Sequence, residues 1–201
     1  MSILESLRQV ESEIFDDHHP LAKEPLALRE AYAIGYAMLV CVNGYPSEIV
    51  KKQLKREIVA LGLQSKYRKT AIEIAIEADP SVIHHLLAML VEPSHKYIFM
   101  LDLYEYAFQD KKVTEQEQEF LLLFERLLQL SAHELHFVRG FRLAMLKKDA
   151  KLASKVVQEA MEYGLPVPLQ ELHYFLKSFE YWKHEVPKQT NKTPVYRVKV
   201  E

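Results

Sequence analysis

The stretch "QDKKVTEQE", Gln109–Glu117, joins two strongly hydrophobic segments and reads either as a cation-binding loop or as a helix start. A calcium loop of the EF-hand type needs oxygen ligands at alternating positions and a central glycine, but this stretch has two early lysines and no glycine. Thr114 suits an N-cap, and Glu117 suits the third helical position of a capping box. The stretch therefore predicts a helix start, and Asp110 is the residue that a cation could still use.

Similar signals for helix starts and ends recur along the chain. Apolar residues recur at three- and four-residue spacing, and period-two alternation appears only in the tail that begins at Val195. We therefore predict an all-α fold, a helical bundle of about nine helices. A helix capped by Ser47 ends at Gly62, Asp79 is the N-cap of the helix over residues 80–91, a capping box at Ser131–Glu134 starts another helix, and Gly164 ends the helix over residues 150–163. The other predicted helices span residues 3–15, 26–42, 66–78, 96–108, 114–129 and 169–185.

The turn, cap and apolar stripe around Thr114 have an earlier counterpart in the chain. At an offset of 67 residues, Asn43 corresponds to Asp110, Ser47 to Thr114 and Leu54 to Leu121. The helices that follow also correspond in order and length. This pattern predicts two pseudo-repeated four-helix halves.

The predicted helix boundaries divide the chain into four parts. Residues 1–25 form an N-terminal helix and a polar, proline-bounded linker, and residues 26–164 form the duplicated bundle. Residues 165–185 form a C-terminal helix packed on the bundle, and residues 186–201 are an extended or disordered tail. His18 and His19 lie in the linker, and we interpret them as part of a solvated loop.

Composition excludes several classes of function. The 26 basic and 28 acidic residues are spread along the chain and leave no large field of one sign, so we expect no nucleic-acid partner. The longest uncharged apolar run, "AYAIGYAMLVCVNGYPS", is broken by Asn43 and Gly44 and is too short for a membrane span. Cys41 is the single cysteine, which favours a small buried hydrophobe in a reducing compartment. We expect a cytoplasmic protein.

The segment "YIFMLDLYEYAFQDKKVTEQEQEFLLLFERLLQLS" resembles the TerB-like family, named for tellurite resistance. The family pattern is an apolar helix, then Asp-Gly-x-Ile/Val-x-x-x-Glu, then a leucine-rich helix, and Asp110, Val113 and Glu117 match it. Lys111 replaces the glycine. The resemblance covers about residues 26–163. It implies a bundle of two related halves, with acidic residues at the turns that serve divalent cations or partner contacts.

Four acidic residues are the candidate metal ligands, and a divalent cation is the only cofactor that we consider. A hard cation could be held by Asp110 with Glu117, or by Asp110 with Asp102 and Glu105 on the preceding helix. The alternative is that Thr114 and Glu117 only cap a helix whose dipole favours acidic residues in its first turn. "HELH", with His133 and His136, lacks the further ligands that zinc requires.

Catalytic signatures are absent from the sequence. We find no glycine-rich phosphate loop, no nucleophile motif and no pair of carboxylates isolated in an apolar run that would need a raised pKa. We therefore interpret the chain as non-enzymatic.

Aromatic side chains of the predicted last helix suggest a binding surface. Phe175, Phe179 and Trp182 follow one stripe, and Tyr174 and Tyr181 lie on the opposite side. The candidate partner-binding residues are Tyr174, Tyr181 and Trp182.

The leading hypothesis is a non-enzymatic TerB-like adaptor or sensor that binds a protein partner in a stress-response or envelope-associated assembly. A homodimer is compatible with it. The alternative is a divalent-metal-binding protein that uses acidic residues at the helix turns.

Overall fold

The computed structural model describes residues 19–108 and 113–175, and it confirms the all-helical fold. The predicted helix over residues 3–15, the loop residues 109–112, and the chain after Phe175 lie outside the described residues. A short 3-10 turn, Pro20–Lys23, precedes the first α-helix. The α-helices are α1 (Leu26–Cys41), α2 (Glu48–Ala60), α3 (Tyr67–Glu77), α4 (Pro80–Met89), α5 (Pro93–Ala107), α6 (Glu115–Leu127), α7 (Ala132–Lys147), α8 (Ala150–Glu162) and α9 (Leu169–Phe175).

The predicted helix starts are confirmed by their caps. Ser47 and Asp79 accept backbone hydrogen bonds from the first turns of α2 and α4, and Thr114 and Ser131 form full capping boxes. One start differs from the prediction, because α5 begins at Pro93 and not at Lys96. Proline at the first helical position already has a helical φ and needs no donor, so the helix extends back to it.

Two helices form the centre of the bundle. Most residues of α1 and α5 are buried around the whole circumference, as expected for helices enclosed by others. α1 packs against α2, α3, α4 and α5, while α5 also packs against α6 and α7, and α8 packs on α7. The rings of Tyr32 on α1 and Phe99 on α5 meet edge to face, with centroids 5.0 Å apart.

One tertiary contact and the backbone conformation that follows it recur at the 67-residue offset. Arg29 Nη1 donates to the carbonyl of Leu61, and Lys96 Nζ donates to the carbonyl of Leu128, each at 3.1 Å. Both contacts satisfy carbonyls at a helix C-terminus, where the helix itself supplies no donor. Gly62 and Gln129 then follow with φ of 71° and 53°. These matches agree with the predicted pseudo-repeat, whereas the duplication itself stays a prediction.

The two corresponding turns touch each other. Thr114 Oγ1 donates to Asn43 Oδ1 at 3.1 Å, and Asn43 Nδ2 donates to Glu117 Oε1 at 3.2 Å. Glu117 also accepts from the backbone amide of Thr114 at 2.8 Å. This clamp places the N-terminus of α6 beside the turn that leads into α2.

Substitution of Thr114 by alanine is expected to lower the free energy of unfolding by about 1–2 kcal/mol, because it removes a helix cap and one bond of the clamp. Urea denaturation monitored by circular dichroism measures this change. Thr70→Ala, at an exposed position of α3, is the matched control and should change stability by less than about 0.5 kcal/mol. Equal losses in both variants would show that the cap and clamp contribute nothing.

Candidate functional site

His19 is buried, and our interpretation of it as part of a solvated loop is wrong. Only 3% of its surface is exposed, and the following turn is anchored by the equally buried Leu21. The backbone amide of His19 donates to the carbonyl of Ala60 at 3.0 Å, and the amide of Leu21 donates to His19 Nδ1 at 3.0 Å. The described part of the predicted linker therefore reaches the end of α2 through the His19 amide, and Leu21 belongs to the hydrophobic core.

Asp102 is the partner of His19. It is 5% exposed, and its Oδ2 accepts from His19 Nε2 at 2.6 Å and from the hydroxyl of Tyr32. Because Nδ1 of His19 accepts the Leu21 amide, the ring proton must lie on Nε2. The pair is thus a neutral imidazole that donates to a buried carboxylate. It joins the 3-10 turn to α1 and α5.

Two further carboxyl groups stand near Asp102. Glu57 of α2 lines the same narrow cleft as His19, Tyr32 and Asp102. Burial, and then the charge of Asp102, raise the pKa of Glu57 to about 7. Glu105 reaches the surface, yet partial burial and the charges of Asp102 and Glu57 raise its pKa to about 7 as well.

No apolar run of the sequence isolates a pair of carboxylates, because Glu57 and Glu105 come from different helices and are brought near Asp102 only in the folded chain. We call His19, Tyr32, Glu57, Asp102 and Glu105 the Asp102 cluster. Tyr36 is buried beside it, and burial and the nearby carboxylates raise the pKa of its hydroxyl well above the usual value.

The corresponding positions of the second half carry apolar residues. At the offset of 67 residues, Tyr32 corresponds to Phe99 and Glu57 to Phe124, and these two rings pack together with centroids 5.5 Å apart. An aromatic pair therefore fills this place in the bundle without polar groups. Because burying carboxyl groups costs free energy, the Asp102 cluster is better explained by a function than by stability.

A second buried carboxylate, Glu125, has a structural role. It is 5% exposed, accepts two hydrogen bonds from Arg139 and one from the hydroxyl of Tyr104, and links α5, α6 and α7. Burial acts to raise the pKa of Glu125, but the hydrogen bonds from Arg139 and Tyr104 outweigh it, so the pKa lies below the usual value. The hydrogen bonds from Arg139 and Tyr104 therefore compensate the free-energy cost of burying the Glu125 carboxylate.

The predicted metal ligands do not all come together. Asp102 and Glu105 are neighbours, and their third acidic neighbour is Glu57, which the sequence did not indicate. Glu117 is engaged in the clamp with Asn43, and Asp110 lies outside the described residues. Within residues 19–108 and 113–175, no three His, Cys, Asp or Glu side chains are arranged to hold a metal ion.

The candidate histidine pair has other contacts. The ring of His133 stacks on Tyr163 with centroids 4.0 Å apart, and His136 Nε2 lies 3.2 Å from Glu159 Oε2. Cys41, expected to be buried, is half-buried, and burial raises the pKa of its thiol.

The predicted partner-binding residues fall mostly beyond the described chain. Tyr174 lies in α9 without a described side chain, and Tyr181 and Trp182 lie outside the described residues. Leu172 and Phe175 of α9 are buried, which agrees with Phe175 lying on the inward stripe.

The sequence contains a signal for two members of the Asp102 cluster, Asp102 and Glu57. Asp102 is the only charged residue within the apolar run Tyr97–Tyr104, and Glu57 is spaced three residues from Leu54 and four from Leu61, on the buried side of α2.

Among the described helices, none is long and apolar enough to cross a membrane. Comparison with family models, with curated proteins and with solved structures finds no match to this chain, so functional inference rests on the Asp102 cluster.

Proposed function

We propose that the chain is a non-enzymatic helical adaptor or sensor, as the TerB-like resemblance implies, and that the Asp102 cluster is its proton-sensing element. The supporting observation is the buried Asp102 carboxylate, held by His19 and Tyr32, with two more carboxyl groups of pKa about 7 beside it. A stress-response or envelope-associated assembly in the cytoplasm is the setting that the resemblance implies.

The charge of the cluster changes near neutral pH. Below pH 7, Glu57 and Glu105 are mostly protonated and uncharged. Above pH 7, both are mostly ionised and lie beside the Asp102 side chain that accepts from His19 and Tyr32. Like charges so close in a partly buried site repel strongly.

The 3-10 turn is the element that this repulsion can move most easily. It is held by the amide of His19 on Ala60, by the side chain of Leu21, and by the bond of His19 to Asp102. The helices α1, α2 and α5 are instead anchored by extensive apolar packing. Release of the turn would detach Pro20–Lys23 from α2 and α5 and so signal the change to a partner.

Replacement of Glu57 and Glu105 together by glutamine is expected to stabilise the protein at alkaline pH. Their folded pKa values lie above the unfolded values, so the wild type is most stabilised by these groups below about pH 4.5 and loses that stability as pH rises through about 7. The variant should gain little near pH 4.5 and about 1–2 kcal/mol above pH 7.5, a magnitude reduced for solvent screening. Urea denaturation across this pH range measures the gain.

Hydrogen exchange of the Leu21 and Ala22 amides supplies the second readout. The wild-type protection factors should fall from pH 6 to pH 8, and the double variant should keep them. Glu77→Gln, an exposed carboxyl on α3, is the matched control for charge. A pH-independent difference between variant and wild type, or an unchanged turn, would refute the proton-sensing role.

The same double variant distinguishes the metal-binding alternative in a thermal denaturation experiment. A cation held by these carboxylates would raise the melting temperature by mass action in the wild type and not in the double glutamine variant. Ca²⁺, Mg²⁺, Mn²⁺ and Zn²⁺ are each added at millimolar concentration. A shift that needs Glu57 and Glu105 would favour a cation sensor over a proton sensor.

A further inference from the structure

The outer face of α2 is basic and carries exposed apolar side chains. α2 has four basic and two acidic residues, and Lys52, Lys55 and Arg56 are exposed on the side opposite the buried Leu54. The exposed apolar residues of this side are Ile49, 79% exposed, and Val59, 49% exposed. Such a combination is typical of contact surfaces for an acidic partner.

The outer face of α6 has the opposite charge. Of the four acidic residues of α6, Glu117 lies in the clamp and Glu125 is buried, so the outer face carries Glu115 and Glu119 against the single basic residue Arg126. Glu115 and Glu119 are exposed on the side opposite the buried Leu121. Three leucines lie exposed on α6 as well, namely Leu122, Leu123 and Leu127, each more than 40% exposed.

The order of charges along the two helices matches in antiparallel orientation. α2 begins with the acidic Glu48 and continues with basic residues, whereas α6 begins with acidic residues and ends with the basic Arg126. If one helix lies antiparallel on the other, Glu48 approaches Arg126, and Arg56 approaches Glu119. A parallel orientation would instead place Glu48 beside Glu115, which is unfavourable.

The two helices cannot pair in this way within one chain. The clamp of Asn43 with Thr114 and Glu117 holds the starts of α2 and α6 at the same corner. A chain that carries one basic and one acidic exposed helix face can pair with a second copy of itself, each basic helix on the acidic helix of the other. Interfaces of symmetric dimers have this property.

We infer that the outer faces of α2 and α6 bind a second copy of this chain, with α2 of each copy antiparallel to α6 of the other. Exposed leucines and isoleucine supply the apolar contact, and the charge pattern selects the orientation. The interface uses the outer face of α2, whereas Glu57 of the Asp102 cluster lies on the buried side of that helix, so the inference stands whether or not the cluster senses protons.

Sedimentation velocity of the full chain tests the dimer. At concentrations from about 1 to about 200 µM, the wild type should shift toward twice the 23.5 kDa of one chain, and more strongly in about 50 mM than in about 500 mM NaCl. Lys52→Glu/Arg56→Glu and Glu115→Lys/Glu119→Lys should each raise the dimer dissociation constant at least tenfold. Lys147→Glu/Lys151→Glu, a reversal of equal size at exposed sites on α7 and α8, should leave it unchanged.

Mixing the two interface variants is the decisive test of the proposed dimer. Each variant repels itself, but in the mixed dimer the acidic α2 of one variant faces the basic α6 of the other, and the second contact keeps its wild-type charges. The mixture should therefore return to within about threefold of the wild-type dissociation constant. Recovery also shows that both variants fold. A wild type that stays monomeric, or reversals without effect, or a mixture that fails to recover while both variants show native helical spectra, would overturn the inference.

Discussion

Replacement of Asp102 by alanine is expected to lower the free energy of unfolding by about 3 kcal/mol, the largest loss that we expect from a change in the polar core. The substitution removes the acceptor of both the His19 ring and the Tyr32 hydroxyl at a site only 5% exposed. It also detaches the 3-10 turn from α5. For a chain of this length, the melting temperature should fall by about 6–12 °C.

A smaller effect of the opposite sign accompanies this loss. The charge of Asp102 raises the pKa of both Glu57 and Glu105, so its removal should lower both values. The relief of repulsion amounts to less than about 1 kcal/mol in a cluster that is partly open to solvent, and the lost hydrogen bonds dominate. Titration of the Glu57 side chain by NMR should show the lower midpoint.

Asp102→Asn separates the two effects, because the amide keeps an acceptor oxygen and loses the charge. It should cost about half as much as Asp102→Ala and shift the Glu57 titration to the same degree. Glu105→Gln, three residues away on the same helix, is the control for charge alone. If Asp102→Ala proves as stable as the wild type, the buried hydrogen bonds do not hold the turn, and the proposed sensor loses its basis.

Replacement of Gly35 by valine is expected to destabilise the protein by about 3 kcal/mol for a purely steric reason. A Cβ at this position of α1 would stand 2.5 Å from Leu86 Cδ2 and 2.9 Å from Phe99 Cζ. Both neighbours are fully buried, so neither can move without displacing others. The gain in helix propensity over glycine is below about 1 kcal/mol and does not offset the overlap.

Leu86→Ala tests whether overlap is the cause. It removes three carbon atoms where Gly35→Val adds three, so the double variant should be more stable than the sum of the single losses by at least about 1 kcal/mol. Urea denaturation of the four proteins of this cycle measures the coupling. Additive losses would show that Gly35 is needed for its backbone and not for space.

The helix starts and stops could be predicted because they depend on residues close in sequence. Thr114 and Ser131 reach amides three residues away, and Gly62 and Gly164 take the left-handed conformation that ends a helix. The start of α5 lies three residues before the predicted one, because Pro93 is itself the first helical residue. Such boundaries are decided within one turn of the chain.

The candidate site could be predicted only in part. Asp102 and Glu105 were identified, as candidate metal ligands, because they lie on the helix that precedes Asp110. His19 was misplaced, because its burial depends on Asp102, 83 residues away. Glu57 was missed because nothing near it in sequence shows that its neighbour is another carboxylate.

The sequence by itself determined that this protein is a helical bundle, where its helices begin, and which faces turn inward, because caps and periodicity act over a few residues. The tertiary structure alone decided which polar groups meet. It placed His19 on Asp102, set Glu57 beside both, and clamped Asn43 to Thr114. Pairing, burial and pKa depend on distances between atoms that are remote in sequence, and only the packing of the helices defines those distances.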